Sequence, residues 1–225
     1  MNRVYERRWL RFAKGGKMKY IGHLDLLKIF QAAIRRAKLP IAYSMGFNPH
    51  QRLSFALPLP VGMDSVCEYM ELLLDEPSDV MVLDAQLPEG LRLLSAYEVP
   101  EKAPRPAAAV TAADYRLMFP NVLESKEYLQ KMMDAPEIMM MKKTKGGEKE
   151  TDIRPDILDL TFDPIGAIMM RLSAGSARNL NPMLVAQKLF DDMGISPSPN
   201  EIAIVRHELY GNADQQLVPL HETAL

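Results

Sequence analysis

The sequence predicts an α+β protein of two tandem ferredoxin-like (βαββαβ) units, each an antiparallel sheet with helices on one face. Three observations carry that prediction. Over residues 1–99, alternating and helical apolar periods follow one another in the order β-α-β-β-α-β. Over 110–211 the same order returns, embellished by an extra strand. Between them lies PEKAPRPAAA, residues 100–109, a Pro/Ala-rich stretch suited to a semi-rigid linker. Residues 212–225 show no such pattern and are expected to form a loose tail.

In the first unit, residues 3–13 alternate imperfectly around Val4, Trp9 and Phe12 and predict a strand with Arg8 or Arg11 on its open face. Gly15-Gly16 turns the chain. Ile21, Leu24, Leu27, Phe30, Ile34 and Ala37 recur at helical spacing and predict a helix over His23–Lys38. Asp25 in its first turn and Arg35, Arg36 and Lys38 in its last suit the helix dipole, and Pro40 enforces the stop. Gly46 and Asn48-Pro49 mark a loop before a strand at Leu53–Leu57. A further strand is predicted at 66–74, a helix from Pro77 to Leu87, and a closing strand at Leu91–Val99.

In the second unit, 111–119 predicts a strand and Asn121 a cap for a helix to Met133. Strand candidates follow at Glu137–Lys143 and at Lys149–Ile153 or Leu158–Phe162, with KTKGGEKE as the turn. GAIMMRLSAG predicts a strand. Asn181-Pro182 opens a helix that Gly194 ends, and 201–210 predicts the last strand. Met132, Met133, Met139, Met140, Met141, Met169 and Met170 fall inside these elements and read as core filler rather than metal ligands.

Composition narrows the chemistry. A single cysteine, Cys67, excludes an internal disulfide framework and a Cys-ligated iron–sulfur cluster on this chain. Its apolar alternating surroundings predict a buried structural thiol. Four scattered histidines without HxxxH or HExxH spacing give no zinc signature, so no metal and no cofactor are expected on this chain. No apolar run approaches the roughly 20 residues that cross a bilayer, and MNRVYERRWLRFAK lacks the apolar stretch of a signal peptide; no membrane partner and a cytoplasmic location are expected.

The net charge of −2 is unevenly placed. Residues 1–55 carry 12 Lys/Arg against two acids, a net of +10; residues 56–225 carry 15 against 27, a net of −12. Such asymmetry suits a face that attracts polyanions, or two regions that attract each other in the fold. Lysines before a helix start favour an anion, which draws attention to Lys17, His23 and Asp25. His23 and Asp25 are two residues apart, about 200° around a helix, so no ready-made dyad is implied. Arg35 and Arg36 extend the basic surface. The loop YSMGFNPHQR offers Tyr43 and Phe47 for stacking beside Ser44, Asn48, His50 and Arg52, a combination that suits single-stranded RNA and equally suits a turn whose aromatics pack on the sheet. In the second unit GSARNLNP places Ser176, Arg178 and Asn179 just before a helix N-terminus, either as an anion site or as ordinary capping.

The motif FAKGGKMKYIGHLDL, followed by RRAKLPIAYSMGFNPH and SFALPLPVG, resembles the domain of unknown function in radical-SAM-linked proteins; GSARNLNP resembles a later segment of the same family. Those proteins are encoded beside, or fused to, a B12-binding-type radical SAM protein. The resemblance implies a radical SAM protein as partner, with the iron–sulfur cluster and S-adenosylmethionine on that enzyme. It carries no established activity.

Three functions are compatible with these readings. The first is a non-catalytic companion that binds RNA (tRNA or ribosomal) or another anionic substrate through the basic first unit. The second is a metal-independent endoribonuclease using His23 or His50 as acid/base, with Lys17 or Arg52 steadying the phosphate. The third is a protein-interaction subunit without nucleic-acid affinity.

Overall fold

The computed structural model of the chain describes residues 5–144 and 147–224; the predicted turn at 145–146, Val4 of the opening strand and the last tail residue lie outside the described residues. The chain is a mixed α/β protein with mostly antiparallel strands and a few helices. It divides into two compact units, residues 1–110 with 208–225 and residues 111–207.

In unit 1, β1 (Glu6–Lys14) lies between β3 (Asp64–Leu74) and β4 (Leu91–Glu98), antiparallel to both. The short strand β2 (Leu53–Phe55) pairs with residues 70–72 of β3. Strand alternation sends Leu10, Phe12, Met70, Leu72 and Leu74 into one core with the helix α1 (His23–Arg36). The buried stripe of α1 is Leu26, Phe30, Ala33 and Ile34. Leu24, predicted to share that stripe, is 69% exposed. Phe30 meets Phe12 and Phe55 edge-on at centroid distances of 5.0 and 5.7 Å. A left-handed Lys38 ends the helix before Pro40.

The opposite face of the same sheet is polar. Arg7, Trp9 and Arg11 on β1 register against Leu73, Glu71 and Tyr69 on β3. The segment expected to be a linker covers part of this face and includes a one-turn helix, α2 (Pro106–Ala109). Arg7 donates from Nη1 to the carbonyls of Pro100, Glu101 and Ala103, at 2.9, 2.9 and 2.7 Å, and from Nη2 to Pro104 O at 3.0 Å.

Two further expectations for unit 1 differ from what forms. Residues predicted as a helix from Pro77 form a 3-10 helix, Val80–Gln86, capped by Asp79, whose Oδ1 accepts from Met81 N. Its buried residues, Val80 and Leu83, are three apart, the period of a 3-10 rather than an α-helix. The expected loose tail is ordered: β10 (Ala203–Ala213) runs past 211, turns at Asp214-Gln215, and pairs with β11 (Gln216–Pro219). A 3-10 helix, Leu220–Ala224, then buries Leu220 and Ala224.

In unit 2, β5 (Ala112–Met118), β9 (Ile168–Ser173) and β8 (Ile157–Phe162) are neighbours in that order, all antiparallel. β10 joins beside β5. Helices α3 (Lys126–Asp134) and α4 (Pro182–Met193) complete the unit, with Phe119 and Phe190 edge-on at 5.0 Å. Asn121 does not cap: it is left-handed, makes no side-chain cap, and is followed by a 3-10 turn, Val122–Ser125, before α3 begins. Both alternatives for the middle strands exist, since β6 (Met139–Thr144) pairs with β7 (Gly147–Asp152) in a separate hairpin, and β8 joins the sheet. In that hairpin Met139 and Met141 are exposed, whereas Met132 and Met170 fill the core as predicted.

Candidate functional site

Part of the basic excess of residues 1–55 is spent inside unit 1. Arg7 Nε and Nη2 donate to Glu71 Oε1 at 2.9 and 2.5 Å, and Trp9 Nε1 adds a third bond to that oxygen at 3.3 Å. Arg8 pairs with Glu6 and Glu98. Arg11 Nη2 lies 2.8 Å from Glu208 Oε2. Lys14 is buried and donates to Ile21 O at 2.8 Å. Each partner except Glu6 and Ile21 is more than 60 residues away in sequence.

The sequence-selected residues separate into distinct places. Lys17 is exposed in a 3-10 turn, Gly16–Tyr20, without a side-chain partner among the described residues. His23 is exposed at the first position of α1, its ring edge-on to Phe55 at 5.3 Å. Asp25 pairs with Lys28 at 3.1 Å. Arg35 is exposed at the end of α1, and Arg36 donates to Gln86 O. In unit 2, Ser176 is exposed, Arg178 Nε lies 2.6 Å from Asp156 Oδ1, and Asn179 O accepts from Lys142 Nζ at 3.0 Å. Asn181, which follows them, caps α4 through Oδ1 to Met183 N. The cation of this segment is therefore already neutralised within unit 2.

One group converges. Residues 42–52 form a narrow ribbon on the edge of β3: Ala42 N donates to Leu73 O, Leu73 N to Arg52 O, and Arg52 N to Ala42 O. Ser44 N closes the ribbon on His50 O at 2.9 Å, and Gly46, at φ 116°, allows the reversal. The tip is bare: Tyr43, Met45, Phe47 and Asn48 are exposed, Phe47 completely. At the base, His50 N donates to Ser44 Oγ at 3.0 Å while the hydroxyl lies 2.8 Å from His50 Nδ1. The Ser44 hydroxyl thus holds one edge of the His50 ring and leaves Nε2 without a side-chain partner among the described residues.

Two continuous depressions flank this base. A recess of about 160 Å3 is lined by Ser44, His50, Arg52 and Arg105, and a groove of about 300 Å3 by Tyr5, Arg7, Arg52, Glu101 and Arg105; Glu71 and Leu73 border both. Arg52 Cζ sits over the Tyr5 ring, 4.6 Å from its centroid. Neither Arg52 nor Arg105 has a hydrogen-bonded or ion-paired acceptor for its guanidinium among the described residues. Glu71 is buried and engaged by Arg7, so the exposed acid of the lining is Glu101. Two guanidinium groups beside an imidazole ring around one hollow suit an oxyanion. Tyr5 and Arg105 had no signal in the sequence: each is a lone residue far from the ribbon in the chain, brought to it by the sheet and by the carbonyls that Arg7 holds.

A second polar cluster in unit 1 is internal. Cys67 Sγ donates to Glu208 Oε1 at 2.6 Å, and Arg11 Nε lies 3.4 Å from the sulfur. Burial, with Glu208 adding to it, pushes the Cys67 thiol up to about 12. The native protein is expected to resist iodoacetamide at pH 8 and to be alkylated stoichiometrically in denaturant; rapid native labelling, read by intact mass, would contradict this. Among the described residues no group of three or more His, Cys, Asp or Glu is placed to hold a metal, and no helix is long and apolar enough to cross a membrane.

No curated protein matches the chain. The sequence profile of a bacterial family matches residues 7–182, which include the ribbon, both arginines of the hollow and all of the GSARNLNP segment. The chain belongs to that family, described as "uncharacterized protein conserved in bacteria (DUF2344)".

Proposed function

We propose that this chain is a non-catalytic companion of a radical SAM enzyme and holds RNA, or another anionic substrate, on unit 1. The observation that carries the reading is the ribbon 43–52: a bare aromatic tip beside Arg52 and Arg105, two cations without an ion-pair partner among the described residues. Exposed single apolar residues are ordinary, but Tyr43, Met45 and Phe47 stand within five positions and leave aromatic faces for bases to stack on. Phosphates would meet the guanidinium groups below. We read both units as ferredoxin-like. Support comes from the strand orders, β4-β1-β3 with β2 on β3 in unit 1, and β10-β5-β9-β8 in unit 2, with the chain running β1-α1-β2-β3-β4 in the first and, around an inserted β6-β7 hairpin, β5-α3-β8-β9-α4-β10 in the second. The companion role rests on the resemblance of the motifs to radical-SAM-linked proteins.

A fluorescence-anisotropy titration with a single-stranded RNA tests the reading. Arg52→Glu with Arg105→Glu is expected to weaken binding by about 30-fold or more, and Phe47→Ala by about fivefold or more, with the wild-type affinity falling steeply between about 50 and 200 mM salt. The RNA should stay intact. Absence of binding at physiological salt, together with co-purification of the radical SAM protein, would replace this reading by a protein-interaction subunit. Cleavage abolished by His50→Ala or His23→Ala would replace it by a nuclease.

A further inference from the structure

We infer that the hollow between Arg52, Arg105 and His50 is a subsite for a phosphomonoester, either a mononucleotide or the phosphorylated end of an RNA chain. The inference rests on the anion-binding reading above and names the group that is bound.

Three features separate this hollow from a general basic surface. First, its cations are positioned without an ion-pair or hydrogen-bond acceptor among the described residues. Arg52 is held through backbone bonds on both sides, to Ala42 O and from Leu73 N, and its guanidinium rests over Tyr5. Stacking on a ring leaves the N–H groups at the guanidinium edge available. Arg105 precedes α2, its carbonyl accepting from Ala108 and Ala109 N at 2.9 and 3.1 Å, and it follows directly on the segment that Arg7 grips. Second, the third arginine of the lining, Arg7, is consumed by Glu71 and four carbonyls, so it builds the wall and offers nothing to a ligand. Third, the Ser44 hydroxyl fixes the His50 ring at Nδ1, and the ring lines the same recess, where it adds a directed donor whenever Nε2 carries a proton.

The donor count selects the ligand class. Two guanidinium edges offer about four donors, and the His50 ring adds a fifth when Nε2 carries a proton. A carboxylate or an internal phosphodiester presents two unbridged oxygens; a phosphomonoester presents three, in a tetrahedral arrangement that two forks and a single donor can surround. Glu101 on the rim leaves only a small excess of positive charge, which fits one phosphate rather than a polyphosphate.

The test uses the full chain and isothermal titration with adenosine 5′-monophosphate against adenosine. It is paired with anisotropy on one oligoribonucleotide bearing a 5′-phosphate, a 3′-phosphate or neither. A phosphate-dependent gain of about tenfold is expected, lost in Arg52→Gln and separately in Arg105→Gln, and kept in Arg92→Gln on the exposed side of β4. Preference confined to the mononucleotide assigns a free nucleotide; preference for one phosphorylated end assigns an RNA terminus. Equal affinity for phosphorylated and unphosphorylated probes overturns the subsite, and if the RNA still binds, the RNA reading survives alone. Phosphate-dependent mononucleotide binding without any RNA binding leaves the subsite standing and removes the RNA reading. Retention of the phosphate preference in both Gln variants overturns the assignment to these arginines. Because Arg105 is exposed and makes no side-chain bond among the described residues, its replacement leaves the fold intact, which unchanged thermal unfolding checks.

Discussion

Replacing Arg7 by methionine is expected to lower the unfolding free energy by about 3–5 kcal/mol, the cost of leaving a buried charge without its partner. Glu71 is 4% exposed, and its carboxylate oxygen Oε1 takes two bonds from Arg7 and one from Trp9. Methionine fills the volume of the stem but strands that charge and releases the carbonyls of Pro100, Glu101, Ala103 and Pro104. The double replacement Arg7→Met with Glu71→Met removes both charges and should recover part of the loss, because two buried partners exchanged together cost less than one alone. Urea denaturation of the three proteins decides the matter. A single-variant effect under about 1 kcal/mol would show the pair to be solvated and ordinary. A double variant as unstable as the single would place the role of Arg7 in the carbonyls instead. The same substitution has a functional readout, since those carbonyls set the backbone that leads to Arg105. Arg7→Met should therefore weaken phosphate-dependent binding even where the protein remains folded.

Arg7 also shows which parts of the molecule were legible in the sequence. Local periods were: the strands at 6–14, 64–74, 91–98 and 112–118 and the helices at 23–36 and 182–193 lie within a few residues of their predicted places, because alternation and helical spacing are written in neighbouring residues. Long-range charge pairing was not. The excess of +10 over residues 1–55 reads as a polyanion surface, yet Arg7, Arg8 and Arg11 answer carboxylates at 71, 98 and 208. What remains for a ligand is a smaller set, with Arg52 at its centre. Of the predicted site, Ser44, His50 and Arg52 meet in one hollow; Lys17, His23, Arg35 and Arg36 lie outside its lining, and Tyr5 and Arg105 join it unannounced. The chain reversal before β11 was equally hidden. Both central residues, Asp214 and Gln215, are left-handed, at φ 49° and 65°, the requirement of a tight hairpin turn. Asn-Gly would have signalled it; Asp-Gln does not, so the residues beyond it looked like a tail.

Deleting residues 216–225 is expected to destabilise the protein by about 5 kcal/mol, combining the loss of a buried leucine with that of an aromatic sandwich. Leu220 is fully buried. The His221 ring stacks on Tyr97 at a centroid distance of 4.5 Å, and its Nδ1 lies within hydrogen-bond distance, 2.9 Å, of the Tyr69 hydroxyl. The segment also packs tightly on β10: a Cβ built on Gly211 would fall 2.6 Å from Thr223 Cγ2 and 2.7 Å from Ala109 O, so only glycine fits there. Equilibrium unfolding of the truncated chain checks the loss, and an effect within 1 kcal/mol would return the segment to the status of a tail. The full chain carries a pH signature of the same contact. Burial holds the His221 pKa below its ordinary value; Glu222 and Glu208 act against that shift and Arg11 adds to it. The unfolded chain binds a proton near pH 6.5, the folded chain only at lower pH. Stability from this group is thus present above about pH 6.5 and falls as the pH drops toward the folded pKa, where the dependence ends. His221→Gln keeps a hydrogen-bonding group for Tyr69, as donor or acceptor, but cannot titrate. Its urea midpoint should be less sensitive than that of the wild type between pH 7.5 and 5.5, and identical slopes in the two proteins would place the proton uptake elsewhere.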